Sequence, residues 1–215
     1  PALTFVATAN AVAHAGAIPH FVESDSVTLG ISPDLLDEYL SKITNQRDGE
    51  CINRRTGRRI AAVIPMHVFG HPVDMDSLNE VAGRHNIAVV EDAAESMGST
   101  YKGRFTGTFG RVAALSFNGN KIITTGGGGA LLTDDPKLAS HARHLSTTAK
   151  LSHKWEFRHD EIAFNYRMPS LNAALGCAQL EQLPGFVTAK RLLAEKYAAA
   201  LTGVAGIGFL SEPDF

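Results

Sequence analysis

Three short apolar runs, residues 60–66, 87–90 and 112–117, constrain the fold of this chain more than any other feature. Runs without polar alternation suit strands buried on both faces, the condition of a parallel sheet covered by helices. Between the first two runs, Met75, Leu78, Val81 and Ala82 recur at helical spacing, behind Asp74 and Asp76 as capping carboxylates. This alternation of extended and helical patterns predicts α/β architecture with a largely parallel sheet.

The remaining elements fill in around that frame. A helix over 8–15, rich in small residues and stopped by Gly16, precedes a short strand over 19–23. Ser32-Pro33-Asp34 reads as a helix start, a capping serine with proline in the first turn. After it Leu35, Leu36, Tyr39, Leu40 and Ile43 form one apolar stripe. Residues 44–59 break the pattern as a polar loop with Arg47, Arg54, Arg55, Arg58 and Arg59, opposed only by Asp48 and Glu50. A solvated surface loop is the simpler reading, and a contact for an anionic ligand such as a sugar nucleotide is the sharper one. A short strand follows over 130–133, Pro136 and Pro169 each open a helix, and a last helix covers 187–201. The helix after Pro169 carries Ala173, Ala174, Gly176 and Ala178, small side chains that permit close approach of a neighbour. The pattern divides into a large domain over 1–190 and, over 191–215, a linking helix and the start of a smaller domain. The chain opens on Pro1 and closes on a loop-like Ser211-Glu212-Pro213-Asp214-Phe215, so both ends read as cut.

Composition excludes several classes of function. With 44% hydrophobic and 20% charged residues, the 215-residue chain is not of the disordered type, and it has no apolar run of membrane-spanning length. A net charge of −2 provides no basic field for nucleic acid or anionic lipid. Cys51 and Cys177 are too few for a disulfide framework, which makes a reducing cytoplasm the default compartment.

In open α/β sheets ligands bind beyond the carboxyl ends of the strands, and the assignment above puts His67, Asp92 and Lys121 there. An acid after one buried strand and a lysine after another suit pyridoxal 5'-phosphate (PLP). That cofactor takes a lysine amine on its aldehyde carbon and a carboxylate opposite its pyridine nitrogen. The spacing by itself is equally compatible with a loop lysine and a helix-capping aspartate.

Several motifs nevertheless occur together and in order: Thr4-Phe5-Val6-Ala7-Thr8, Val90-Glu91-Asp92-Ala93-Ala94-Glu95, Ser116-Phe117 leading to Asn120-Lys121, Thr124-Thr125 with Gly126 to Gly129, and Phe164-Asn165-Tyr166-Arg167-Met168. From about residue 3 to 183 the chain resembles the DegT/DnrJ-type PLP-dependent sugar aminotransferases. His67-Val68-Phe69-Gly70-His71-Pro72 and His153-Lys154-Trp155-Glu156-Phe157 resemble the branch that aminates UDP-linked 4-keto-6-deoxy-amino sugars of the legionaminic-acid type. The resemblance implies the large domain of a fold type I PLP enzyme, truncated at both ends.

By the same resemblance, Lys121 is the cofactor lysine and proton shuttle, and Asp92 the partner of the pyridine nitrogen. Phe5 stacks on the ring, and Ser116 binds the phosphate. Asn165 reaches the phosphate in a neighbouring subunit, implying a homodimer with shared active sites. Glu95 falls where the family contacts the phenolic oxygen and many relatives carry His or Gln. Two ionised oxygens there would repel, so Glu95 either holds a proton or points at the sugar. Related sugar dehydratases replace the lysine by histidine, so Lys121 favours amino transfer. The implied reaction moves an amino group from an amino acid, glutamate foremost, to C4 of a nucleotide-linked keto sugar. The rivals are a non-catalytic member that only binds PLP and a plain nucleotide-binding domain.

Other motifs carry less. No Gly-Lys-Ser/Thr follows the glycine run, so it is no P-loop; it reads as a tight turn or as close backbone passage beside the cofactor lysine. His67 and His71 have ligand-like spacing, but Gly70 and Pro72 deny them a helix, and no metal site is expected. His141, His144, His153 and His159 read as surface and loop, with His153 or His159 left as possible sugar contacts.

Overall fold

A computed structural model describes residues 1–215. Its elements run in the order α1 (Val6–His14), α2 (Pro33–Ile43), β1 (Thr44–Arg47), β2 (Glu50–Asn53), β3 (Ala62–Val63), α3 (Met75–His85), β4 (Ala88–Asp92), β5 (Thr100–Tyr101), β6 (Arg104–Phe105), β7 (Val112–Ser116), β8 (Gly129–Leu132), α4 (Pro136–Ser146), α5 (Ser170–Leu180) and α6 (Leu183–Leu201). The central sheet is ordered β3-β4-β7-β8. β3, β4 and β7 are parallel, whereas β8 returns antiparallel to β7 with Ser116 opposite Gly129. The fold is α/β with a mixed sheet, close to the expectation. No helix is long and apolar enough to cross a membrane.

Local chemistry explains the helix boundaries. Ser32 caps α2 by accepting the Leu35 N–H, with Pro33 in the first turn. Asp74 caps α3 by accepting the Ser77 N–H, and Asn86 ends that helix in the left-handed region. Asp135 caps α4 by accepting from Lys137 and Leu138. Leu36 and Leu40 of α2 meet Met75, Leu78, Val81 and Ala82 of α3 in a buried cluster with Val63, Val89 and Tyr101. Each large side chain sealed there contributes about 1.5–3 kcal/mol relative to exposure.

The structure corrects several sequence expectations. The stripe on α2 is narrower than expected: Leu36 and Leu40 are buried, but Leu35 and Tyr39 are exposed. Residues 19–23 form no strand; the segment is tied by Ala2 N–H to Val22 O at 3.0 Å, with a single bridge beyond it between Ser24 and Ile31. The run 60–66 pairs only over Ala62–Val63, with a further bridge from Met66 to Asp92. β3 is the edge of the sheet, so Ala62 faces solvent while Val63 faces the core. The arginine-rich segment is not a loop throughout, since β1 and β2 pair as a hairpin across Asp48 and Gly49, both with positive φ. Of its arginines, Arg59 pairs with Glu50 at 2.9 Å, and Arg55, Arg58 and Arg59 border an apolar groove of about 950 Å³ between α1, α2 and β3. The β5–β6 hairpin was not anticipated. It turns on Lys102 and Gly103, both in the left-handed region, as a two-residue hairpin requires. The last helix begins at Leu183, four residues before the expected start.

Candidate active site

β4 and β7 are parallel neighbours, so the residues that follow them emerge at the same end of the sheet. Asp92 is the last residue of β4, and Lys121 lies in the loop after β7. The Thr8 hydroxyl donates to Asp92 Oδ2 at 2.6 Å, and the Ala94 N–H donates to Oδ1 at 3.2 Å. Thr4, one turn before Thr8, lies with its hydroxyl 3.0 Å from Thr8 Oγ1 and 3.1 Å from Met66 Sδ. The Phe5 N–H also points at Met66 Sδ, at 3.4 Å. The first turn of α1 is thereby docked on the end of the sheet. Phe5 sits at its N-cap with 64% of its surface free, an aromatic ring available to a ligand rather than a core side chain.

Lys121 Nζ lies 3.4 Å from Glu95 Oε1, with both side chains largely shielded. Glu95 Oε2 accepts the Phe69 N–H at 3.0 Å. Phe69 is left-handed (φ 54°), and a Cβ at Gly70 would stand 3.0 Å from the Glu95 carbonyl oxygen, so the 69–70 turn needs glycine to approach this closely. Glu95 thus faces a cation, an arrangement outside the two alternatives read from sequence.

Beneath these groups lies a buried network. Glu91, fully enclosed, accepts from the N–H groups of Phe109 (2.7 Å) and Gly110 (2.5 Å) on Oε1 and from Gly107 N–H (2.7 Å) and His67 Nε2 (3.1 Å) on Oε2. The Val73 N–H donates to His67 Nδ1, which leaves Nε2 as the proton-bearing nitrogen. Burial pushes the Glu91 carboxyl up, but the hydrogen bonds from His67 and the three backbone N–H groups outweigh it and hold it below its ordinary value. His67 is a structural residue here, because its side chain is enclosed and both nitrogens are engaged.

The lysine loop is held from behind by α5. Asn172 Nδ2 donates to Thr125 O, Gln179 Oε1 accepts the Thr124 N–H at 2.6 Å, and a Cβ at Gly176 would lie 3.0 Å from Thr125 Cγ2. At Gly176 the neighbour admitted is this loop, whereas Ala174 and Ala178 are exposed. The glycine run is a turn: Gly126 and Gly128 have positive φ, and a Cβ at Gly129 would fall 2.3 Å from Leu115 O. Ser116 is half-buried, its hydroxyl accepting the Asn118 N–H at 3.3 Å. Asn165 is exposed, bridged through its backbone to Thr147, and its side chain bonds none of the other candidates. Thr8 and Met66 are contributors that sequence reasoning did not single out. The available signal was the spacing of Thr4, just before the N-cap, and Thr8 in the first turn of α1.

The donor set fits PLP. A shielded amine, an aspartate held by two donors, a serine hydroxyl at the end of β7 and a free aromatic ring are the groups that the cofactor's aldehyde, ring nitrogen, phosphate and ring face require. An open α/β sheet with these groups gathered around its carboxyl end is the architecture of a fold type I PLP enzyme, and solved structures with that fold superpose on it throughout. An aminotransferase from Brucella abortus covers the whole chain at TM-score 0.86 and 29% identity, matching 54% of its own length. Streptomyces venezuelae DesV, solved in complex with a ketimine intermediate, covers 99% at TM-score 0.83 and 33% identity, matching 53% of its length. The model of the DegT/DnrJ/EryC1/StrS aminotransferase family matches residues 1–214, and the chain belongs to this family. GDP-perosamine synthase from Escherichia coli O157:H7 is 40% identical over 92% of the chain and 50% of its own length. The chain spans about half the length of the curated relatives it matches.

Proposed function

We propose that this chain carries the cofactor and catalytic residues of a PLP-dependent aminotransferase acting on a nucleotide-linked keto sugar. The observation that carries the reading is the shielded Lys121 amine against Glu95, beside an Asp92 carboxylate clamped by Thr8 and Ala94. When bound, PLP supplies a protonated ring that accepts the electrons of a carbanion at the substrate carbon. Asp92 keeps the proton on the ring nitrogen, and the two hydrogen bonds it accepts hold its carboxylate in place for that role. Lys121 would hold the cofactor through its aldehyde carbon, and its amine would move the proton at the substrate carbon. Glu95 receives the Lys121 ammonium and keeps it at the mouth of the site. Phe5 covers one ring face and Ser116 holds the phosphate.

In the finer reading, nitrogen passes from glutamate to C4 of a 4-keto-6-deoxy sugar, on UDP as in the legionaminic-acid-type branch. Of the two motifs behind that branch, 67–72 has the first of its two histidines, His67, sealed in the core, whereas 153–157 is exposed and free to meet a sugar. Asn165 and its neighbours serve a second copy in this reading. Trp155, Phe157, Ile162, Tyr166 and Leu171 are all more than 70% exposed, an apolar surface suited to a subunit contact.

The test is retention of PLP after desalting, read as visible absorbance of the protein. Wild type retains the band and Lys121→Ala loses it; an unchanged band in the variant overturns the assignment. Release of keto acid from glutamate separates an aminotransferase from a protein that only binds cofactor. A panel of UDP-, GDP- and dTDP-linked 3-keto and 4-keto sugars then fixes nucleotide and position.

A further inference from the structure

The histidines of α4 meet the carboxylates of the segment that follows them. His141 and His144 lie three residues apart and share one face of the helix. His144 Nε2 is 2.6 Å from Asp160 Oδ1, and His141 Nε2 is 3.0 and 3.2 Å from the two oxygens of Glu161. One ligand atom each from His144, Asp160 and Glu161 falls within 4.8 Å of the others. We propose that these three residues, with His141 as a fourth donor, form a binding site for a divalent transition-metal ion of the zinc class.

The donor chemistry carries the choice of ligand. Two imidazole nitrogens with two carboxylate groups make a mixed nitrogen and oxygen set, which suits zinc and its neighbours better than calcium or magnesium. With neutral imidazoles the set carries two negative charges, which one divalent ion neutralises. A tetrahedral ion about 2.0–2.1 Å from each ligand spaces its donors about 3.4 Å apart. The observed nitrogen–oxygen pairs, at 2.6 to 3.2 Å, are hydrogen-bonded and stand closer than that by about 0.2–0.8 Å. Binding requires these pairs to open by side-chain rotation and His141, which touches only Glu161, to turn toward the other three.

The backbone that presents the carboxylates is fixed against the helix. Phe164 N–H donates to Leu145 O at 2.9 Å, Tyr166 N–H to Ser146 O at 2.9 Å, Ala149 N–H to His144 O at 2.9 Å, and Asp160 N–H to Ala149 O at 3.3 Å. His159 Nδ1 lies 2.7 Å from Thr148 O on the same segment. A shallow depression lined by Pro136, Lys137, Ser140, His141 and His144 leaves solvent room beside the donors. Lys137 is the single ammonium along it, one helical turn before His141, with a stem long enough to turn away. This site is separate from the Lys121 group and independent of the function proposed above. It crosslinks α4 to the segment that leads to Phe164, Asn165 and Tyr166.

Calorimetric titration of the cofactor-free chain with zinc chloride tests the proposal, alongside cobalt(II) with its visible absorbance as a report on coordination. Wild type binds one equivalent of zinc, and bound cobalt shows the intense bands of a four-coordinate ion. His144→Gln and Glu161→Gln each weaken binding by at least about tenfold. Circular dichroism establishes that both variants stay folded, and His153→Gln serves as a control that binds as wild type does. Absence of saturable binding, or binding that survives both site variants, overturns the proposal and leaves two ordinary histidine–carboxylate ion pairs. Equal affinity for magnesium also overturns it.

Discussion

Replacing Glu91 by glutamine removes a charge but keeps the shape, so the cost can be worked out from the hydrogen bonds. Four donors converge on two carboxylate oxygens: Phe109 and Gly110 on one, His67 and Gly107 on the other. Glutamine turns one of these oxygens into an NH₂ group, so either orientation sets two donors against a donor. Switching the His67 tautomer offers no escape, because its Nδ1 would then carry a proton against the Val73 N–H. Each buried donor left without an acceptor costs about 1–3 kcal/mol, so Glu91→Gln should destabilise by about 2–6 kcal/mol. Against a total of about 5–15 kcal/mol for a typical domain, that is a large fraction. In urea the midpoint should fall by about 0.7–3 M for a slope of about 2–3 kcal/mol/M. The pH dependence adds a second reading. Because the folded Glu91 carboxyl lies below its unfolded value, its contribution is complete above the ordinary glutamate range and is lost as pH falls through the depressed folded value. The gap between wild type and variant should therefore narrow below about pH 4. A midpoint within about 0.3 M of wild type at pH 7 would refute the claim that these four donors depend on the carboxylate.

Two further substitutions test other parts of the frame. Gly129→Ala places a Cβ 2.3 Å from the Leu115 carbonyl oxygen and should cost at least about 1–3 kcal/mol by forcing β8 off β7; a melting temperature equal to wild type contradicts the register. Asp37 accepts from His85 Nε2 at 2.8 Å and Arg84 at 2.9 Å, and the His85 hydrogen bond foremost holds its carboxyl below the usual aspartate value. That stability is present above the unfolded value and lost on acidification through the folded one, so Asp37→Asn should cost up to about 1 kcal/mol at pH 7 and progressively less in acid. A pH-independent difference in urea midpoints would exclude the ion pair as its source.

What was legible in the sequence follows physical lines. The runs that became β4 and β7 were readable because strands covered on both faces need continuous apolar side chains. β3 was overestimated because apolar content does not reveal whether a strand lies at an edge, and Ala62 lies at one. β1 and β2 were missed because β1 is polar at every position and β2 mixes polar and apolar residues on both faces, Glu50 with Ile52 and Cys51 with Asn53, which leaves no alternation to detect. The turn of β5–β6 did carry a signal, Lys102-Gly103, but two-residue strands give it no periodic flanks. At the candidate site, Asp92 and Lys121 could be placed together because strand ends converge in a parallel sheet. The Thr8–Asp92 bond could not, since a contact across 84 residues leaves no trace in local pattern. Glu95 was identified as a position, but its partners depend on a left-handed Phe69 that no propensity would suggest.

The grip of α5 on Thr124 and Thr125 also bears on the order in which the molecule takes shape. Its hydrogen bonds join positions 47 and 55 apart in the chain. Contacts of such separation form late, after the nearer strands and helices have collapsed, and on a ribosome they must wait for the downstream helix to leave the exit tunnel. The loop bearing Lys121 therefore acquires its final shape after the sheet beside it. A nascent chain halted before residue 170 would display a finished strand β4, with Asp92 at its end, while its lysine was still unplaced.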